Sequence, residues 1–215
     1  MKNKSAAILS CVWMVAFLLS IFWVIQIKRD ILPYLDQWTG EIVPLVHGSA
    51  TYQFFRVITE MGSSHVLIPI AIAAAVFFIF LYKHWYPALL LLAGSLFAHF
   101  FNVFIKQLVA RERPSISVAL NAEGFSFPSG HSMISMVCYG LMAYFLCKKI
   151  RSGKLKWIVQ LLFGTLVCLI GISRFFINVH YITDVIAGFT IGFAILYAYI
   201  YLDQRMPDLK QRTDS

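Results

Sequence analysis

The chain has 215 residues, 60% of them hydrophobic and 13% charged, with a mean hydropathy of +0.75. A soluble domain of this length carries roughly 25% charged residues, so the composition excludes an ordinary soluble fold and points to lipid. The formal charge of +8 does not read as a nucleic-acid surface, because the cations stand in short blocks between apolar runs.

The first apolar run covers residues 5–27, behind Lys2 and Lys4. It is longer than the apolar region of a signal peptide and no small-residue cleavage site follows it, so it is predicted to stay as a membrane helix. Residues 28–63 are the longest connection, where Pro33, Gly40, Pro44 and Gly48 interrupt Ile31, Leu35, Trp38 and Val43. One or two short helices lying in the headgroup layer fit that pattern, as a lid over a site or as a plain connector.

Apolar runs at 64–82 and 86–106 predict the second and third spans. Lys106 and Arg113 follow, two helical turns apart, and share a face if the third helix continues that far. Pro114 biases Arg113 towards an extended backbone, so the helix is expected to end there and free the guanidinium. Arg suits bidentate phosphate binding and Lys supplies a mobile point charge. Cations also commonly flank membrane helices, so the pair alone decides little.

Pro128-Ser129-Gly130-His131 opens the fourth span, 131–147. Ser129 is a good N-cap, and Gly130 allows a backbone N–H close to an anion at a helix start. His131 can reach the same anion as a proton donor; ordinary capping is the competing reading. The block Lys148, Lys149, Arg151, Lys154 and Lys156 separates this span from the fifth, 157–173. Ser173 and Arg174 end the fifth, and His180 and Asp184 open the sixth, 182–202. At i and i+4 the carboxylate can fix one imidazole nitrogen and leave the other as a nucleophile. A His/Asp metal pair competes, but lacks a third convergent carboxylate or thiolate and stands among cations. Four cysteines, at 11, 138, 147 and 168, have no CxxC spacing and read as buried small hydrophobes. His47, His65, His84 and His99 have no such partners nearby in sequence.

These elements make an all-α, integral membrane bundle of six transmembrane helices in one domain, 1–215. Eleven of the 18 Lys and Arg fall on the N-terminal side, led by the 148–156 block. Of the remaining seven, Lys106, Arg113 and Arg174 belong to the candidate site, so both termini are expected to be cytoplasmic. All three polar clusters then lie on the outer side, which makes their convergence possible.

The pattern Lys106-x6-Arg113-Pro114, Pro128-Ser129-Gly130-His131 and Ser173-Arg174-x5-His180-x3-Asp184 resembles the type 2 phosphatidic acid phosphatase (PAP2) superfamily at every fixed position. Within it, the chain looks most like bacterial phosphatidylglycerophosphatase B and the undecaprenyl-pyrophosphate phosphatases. The resemblance implies a metal-independent lipid phosphatase without cofactor, in the cell membrane, with an extracytoplasmic site and a lipid phosphate as substrate. His180 would attack phosphorus, Asp184 would orient it, and His131 would protonate the leaving oxygen. Lys106, Arg113, Arg174, Ser129 and the Gly130 N–H would hold the oxyanion. The expected substrate is phosphatidylglycerophosphate, with phosphatidate or undecaprenyl pyrophosphate as alternatives. A non-catalytic phospholipid binder or translocator would not need the His131, His180 and Asp184 set, and a vanadate haloperoxidase would not need six apolar spans.

Overall fold

The computed structural model describes residues 2–114 and 124–205, with side chains from residue 11 onward. Lys210 and Arg212, which enter the orientation argument, lie outside the described residues. Among the described residues nine helices run in order: α1 Lys2–Lys28, α2 Tyr34–Gly40, α3 Ile42–Val46, α4 Ala50–Glu60, α5 Ser64–Tyr82, α6 Tyr86–Val109, α7 Gly130–Lys149, α8 Gly153–Phe176 and α9 Ile182–Arg205. Among the described residues there is no strand. Six of the helices (α1, α5, α6, α7, α8 and α9) are long and apolar enough to cross a membrane.

The two short apolar runs become full-length helices because polar caps extend them. Ser129 starts α7, its Oγ accepting from the Ser132 N–H, and Ser152 starts α8 by accepting from the Leu155 N–H. Lys148 and Lys149 stand in the last turn of α7, where a helix favours cations. The 20 residues of α7 span about 30 Å, so Ser129 and this basic block mark opposite ends of the molecule.

Helix α7 is central and packs against α5, α6, α8 and α9. Its closest neighbour is α9, because small residues let the backbones meet. A Cβ at Gly188 would lie 2.6 Å from the Ser129 carbonyl oxygen, and one at Gly192 would lie 2.7 Å from that of Met133. The crossing sets the start of α9 against the start of α7, where the Ser129 N–H donates to the Asp184 carbonyl at 3.0 Å. At the far end Asp203 of α9, buried, accepts from Tyr144 Oη and Lys148 Nζ of α7. Large apolar side chains such as Phe80, Trp157, Leu161 and Leu162 face outward, as expected for a lipid boundary.

Two local expectations are corrected. Helix α6 stops at Val109, where Ala110 turns into the left-handed region (φ 53°), so Lys106 and Arg113 do not share a helical face. The segment 28–63 holds three helices rather than one or two, because Ser49 caps a new helix after Gly48. That segment is also anchored to the bundle. Phe55 stacks on Phe176 at 4.6 Å, Val43 packs with Phe175 and Val185, and Asp36 is buried against the start of α9.

Candidate active site

Beyond Ala110 the chain passes through Arg111, Glu112 and Arg113 without regular secondary structure. Glu112 is exposed, while the two arginines turn towards the start of α9. Arg113 Nη1 donates to the Val179 carbonyl at 2.8 Å and lies 3.1 Å from His180 Nε2; its Nε donates to the Gly124 carbonyl. Arg111 Nη1 donates to Asp184 Oδ1 at 2.6 Å and to Thr183 Oγ1 at 2.9 Å, and its Nη2 reaches Asp36 Oδ2 at 2.7 Å. The Arg111 guanidinium lies 3.8 Å above the Tyr181 ring. Breaking a buried ion pair of this kind commonly costs about 3–5 kcal/mol, because one charge is left without a partner.

His180 and Asp184 meet, though not across a helical face. His180 precedes α9, and the turn at Tyr181 carries it back over Asp184. The Asp184 carboxylate accepts from the Tyr181 backbone N–H at 2.9 Å, the reciprocal half of a capping box. Its Oδ2 also accepts from Ser126 Oγ at 2.7 Å and lies 3.4 Å from His180 Nδ1. With Nδ1 carrying the proton towards the carboxylate, Nε2 keeps its lone pair and accepts from Arg113. Burial, followed by the charges of Arg113, Arg174 and Lys106, holds the His180 pKa well below 6.5; a hydrogen bond to the Ser126 backbone pulls the other way. The ring is therefore neutral at pH 7.

The remaining predicted residues gather around this pair. His131 stands beside His180 and under the charges of Arg174, Lys106 and Arg113, contributed by α8, α6 and the loop after α6. Arg174 is 2% exposed; its Nη1 donates to Thr59 Oγ1 at 2.9 Å, and its Nε–H has no partner among the described residues. Buried donors of that kind normally have an acceptor, and a guanidinium fork matches an oxyanion. Ser129 caps α7 beside His131, and Gly130 lies against Asn102, whose amide holds the Pro128 carbonyl. Ser173 turns into its own helix, donating to the Ile170 carbonyl. Gly62 presses on His131 from outside, since a Cβ there would come within 2.9 Å of the imidazole Cδ2. From Gly62 an apolar groove of about 460 Å³ runs between α5 and α6, lined by Leu67, Ile68, Ile72, Leu96 and Phe100.

Among the described residues four cations, Lys106, Arg111, Arg113 and Arg174, thus gather with two buried carboxylates, Asp36 and Asp184. Both carboxylates are bridged by Arg111, which leaves a positive pocket around two imidazoles. Such a pocket suits a phosphoryl group, and one imidazole faces it with an unprotonated nitrogen. Sequence reasoning did not single out Arg111, Asp36, Ser126 or Thr183. Arg111 carried a usable signal, as a cation two residues before Arg113, which Pro114 biases towards an extended backbone. Asp36 had only its isolation among apolar residues, and the other two had none.

The family model described as the PAP2 superfamily matches residues 87–207. The chain is 28% identical over 197 residues to phosphatidylglycerophosphatase B of Bacillus subtilis (strain 168), covering 91% of this chain and 97% of that one. It is 30% identical over 132 residues to dolichyldiphosphatase 1 of Dictyostelium discoideum, covering 60% and 58%. Its fold matches the crystal structure of a transmembrane PAP2-type phosphatidylglycerolphosphate phosphatase from Bacillus subtilis with a TM-score of 0.78 and 27% identity, over 89% of this chain and 97% of that one.

Proposed function

The chain belongs to the PAP2 superfamily, and from that premise we propose that it is a membrane lipid phosphate phosphatase converting phosphatidylglycerophosphate to phosphatidylglycerol through a phosphohistidine. The observation that carries this reading is the neutral His180, with Nδ1 turned to Asp184, Nε2 on Arg113, and the charges of Arg174 and Lys106 acting on the ring. The similarity to phosphatidylglycerophosphatase B along nearly the whole chain supports the choice of substrate.

In the first step His180 Nε2 attacks phosphorus and the bond to the lipid oxygen breaks. His131, carried as the imidazolium beside the bound phosphate anion, gives its proton to that oxygen and is left neutral, so the lipid leaves as an alcohol. In the second step water attacks the phosphohistidine, His131 takes the water proton, and the N–P bond breaks to release phosphate. Lys106, Arg113, Arg174, Ser129 and the Gly130 N–H neutralise charge on the nonbridging oxygens, which is most of what phosphoryl transfer asks of a protein. Asp184 holds the Nδ1 proton throughout. The groove from Gly62 gives an acyl chain an apolar path that starts beside His131.

The whole of 1–215 serves as one domain, with the site on the extracytoplasmic side and both termini inside. The basic block at the opposite end of α7 supports that orientation. The match to a dolichyldiphosphatase favours a second reading, a prenyl pyrophosphate such as undecaprenyl pyrophosphate.

Phosphate release by the purified protein in detergent with chelator tests the reading. The wild type is expected to turn over phosphatidylglycerophosphate, and His180→Ala to lose at least about 1000-fold in kcat. A His180→Ala variant with unimpaired turnover would remove the nucleophile assignment. Competition between phosphatidylglycerophosphate and undecaprenyl pyrophosphate in one preparation ranks the substrates by kcat/KM.

A further inference from the structure

We infer that Arg111 is a positioning residue for the reaction, bridging Asp184 to Asp36, so that the outer helix α2 sets the orientation of the His180–Asp184 pair. The inference rests on the reading of His180 as nucleophile.

His180 is the most distant of the polar partners of the Asp184 carboxylate. Its Nδ1 lies 3.4 Å from Oδ2, against 2.7 Å for Ser126 Oγ, 2.9 Å for the Tyr181 N–H and 2.6 Å for Arg111 Nη1 on Oδ1. The plane of the carboxylate is thus set by the other three, and Arg111 is the one that brings charge. Arg113 is turned instead to the Val179 carbonyl and to His180 Nε2, on the side where a phosphoryl group would sit. A bound oxyanion competes for Lys106, Arg113 and Arg174. Arg111, with both arms on carboxylates, stays with Asp184 through the cycle.

Arg111 is in turn fixed by the outer segment. Asp36 Oδ2 takes its Nη2 at 2.7 Å and also the Thr183 hydroxyl at 2.6 Å, while Oδ1 takes the Thr183 N–H at 3.0 Å. The Tyr181 ring supports the guanidinium from below. Asp36 is 3% exposed and Arg111 7%, so the arrangement is shielded from water. The planar fork holds the two carboxylates at a fixed spacing through separate nitrogens; a lysine has three donors on one nitrogen and would have to draw the carboxylates together to pair both.

The test uses the full-length enzyme in detergent, with phosphatidylglycerophosphate as substrate and inorganic phosphate as competing ligand. Arg111→Met is expected to lower kcat about 10- to 100-fold, the usual range for a group that orients a reacting one, with KM and the Ki of inorganic phosphate within about 2-fold. Removing a cation beside the pair eases its protonation, so the acid limb of the rate should move up by about one pH unit. Lys106, Arg113, Arg174, His131, Asp36 and Tyr181 also face the pair and remain in place. Asp36→Asn should move kcat and the acid limb the same way by less, and Arg111→Lys should recover part of both. Wild-type kcat and acid limb in Arg111→Met overturn the proposal, as does a loss confined to KM and Ki. So does a fall in kcat that comes with a lowered melting temperature and an unmoved acid limb. If Arg111→Met does not fold, Asp36→Asn and Arg111→Lys are read by the same criteria. His180→Ala is run beside them: if it keeps its activity, the nucleophile reading itself has failed, whatever the Arg111 variants do.

Discussion

The proposed nucleophile, His180, must be neutral to attack phosphorus, and its surroundings keep it so. Burial and three nearby cations hold its pKa well below 6.5, and protonation would silence Nε2. Activity governed by this group is full above its pKa and falls as pH drops through it. The acid limb of kcat/KM should therefore lie below pH 6.5, and a pH–rate profile of the wild type checks it; a limb at or above the ordinary histidine value would contradict the burial argument. At this scale the sequence was informative where chemistry is concentrated. His131, His180 and Asp184 stood out because ionisable groups are costly beside apolar spans. Arg111 did not, since a cation near a membrane helix has a routine explanation. Its second carboxylate is 75 positions earlier in the chain, a distance that no local pattern bridges.

The helices α7 and α9 bring the second and third motifs together, and two glycines make their contact possible. A methyl group at position 188 would meet the Ser129 carbonyl oxygen at 2.6 Å, and that atom is backbone, so the chain itself has to move. Gly188→Ala should destabilise the protein by about 1–3 kcal/mol, as overpacking commonly does. It should also lower kcat by shifting the Pro128–His131 turn. Melting in detergent together with turnover checks both, and unchanged values would mean the helices are less closely packed than described. The helices themselves were legible as apolar runs, and their added length comes from the Ser129 and Ser152 caps. The end of α6 was not. Pro114 advertised a break, whereas the chain leaves the helix earlier, at an alanine in a backbone region that side chains seldom adopt.

Six spans place three separated motifs at one end of the bundle, and this whole-molecule property was readable from the number of apolar runs and the spacing of Lys and Arg. The segment 28–63 was less so, because its seat depends on Asp36, Val43 and Phe55 finding partners in α8, α9 and the loop between them. The proposed orientation can be tested with single cysteines in a background lacking exposed Cys11 and Cys168. In intact cells a membrane-impermeant maleimide should label Arg56→Cys, on the exposed face of α4. Lys154→Cys, in the basic block, should react only after permeabilisation. The opposite pattern would invert the molecule.

The bridge made by Arg111 also has a meaning in time. One of its carboxylates is synthesised 75 residues ahead of it and the other 73 residues behind. During translation the guanidinium can meet Asp36 early, but it must wait for the last span to leave the ribosome before it is matched on both sides. Insertion of α9 thus gives Arg111 its second carboxylate and completes the proposed reaction centre in a single event, and a nascent chain stopped short of it has neither.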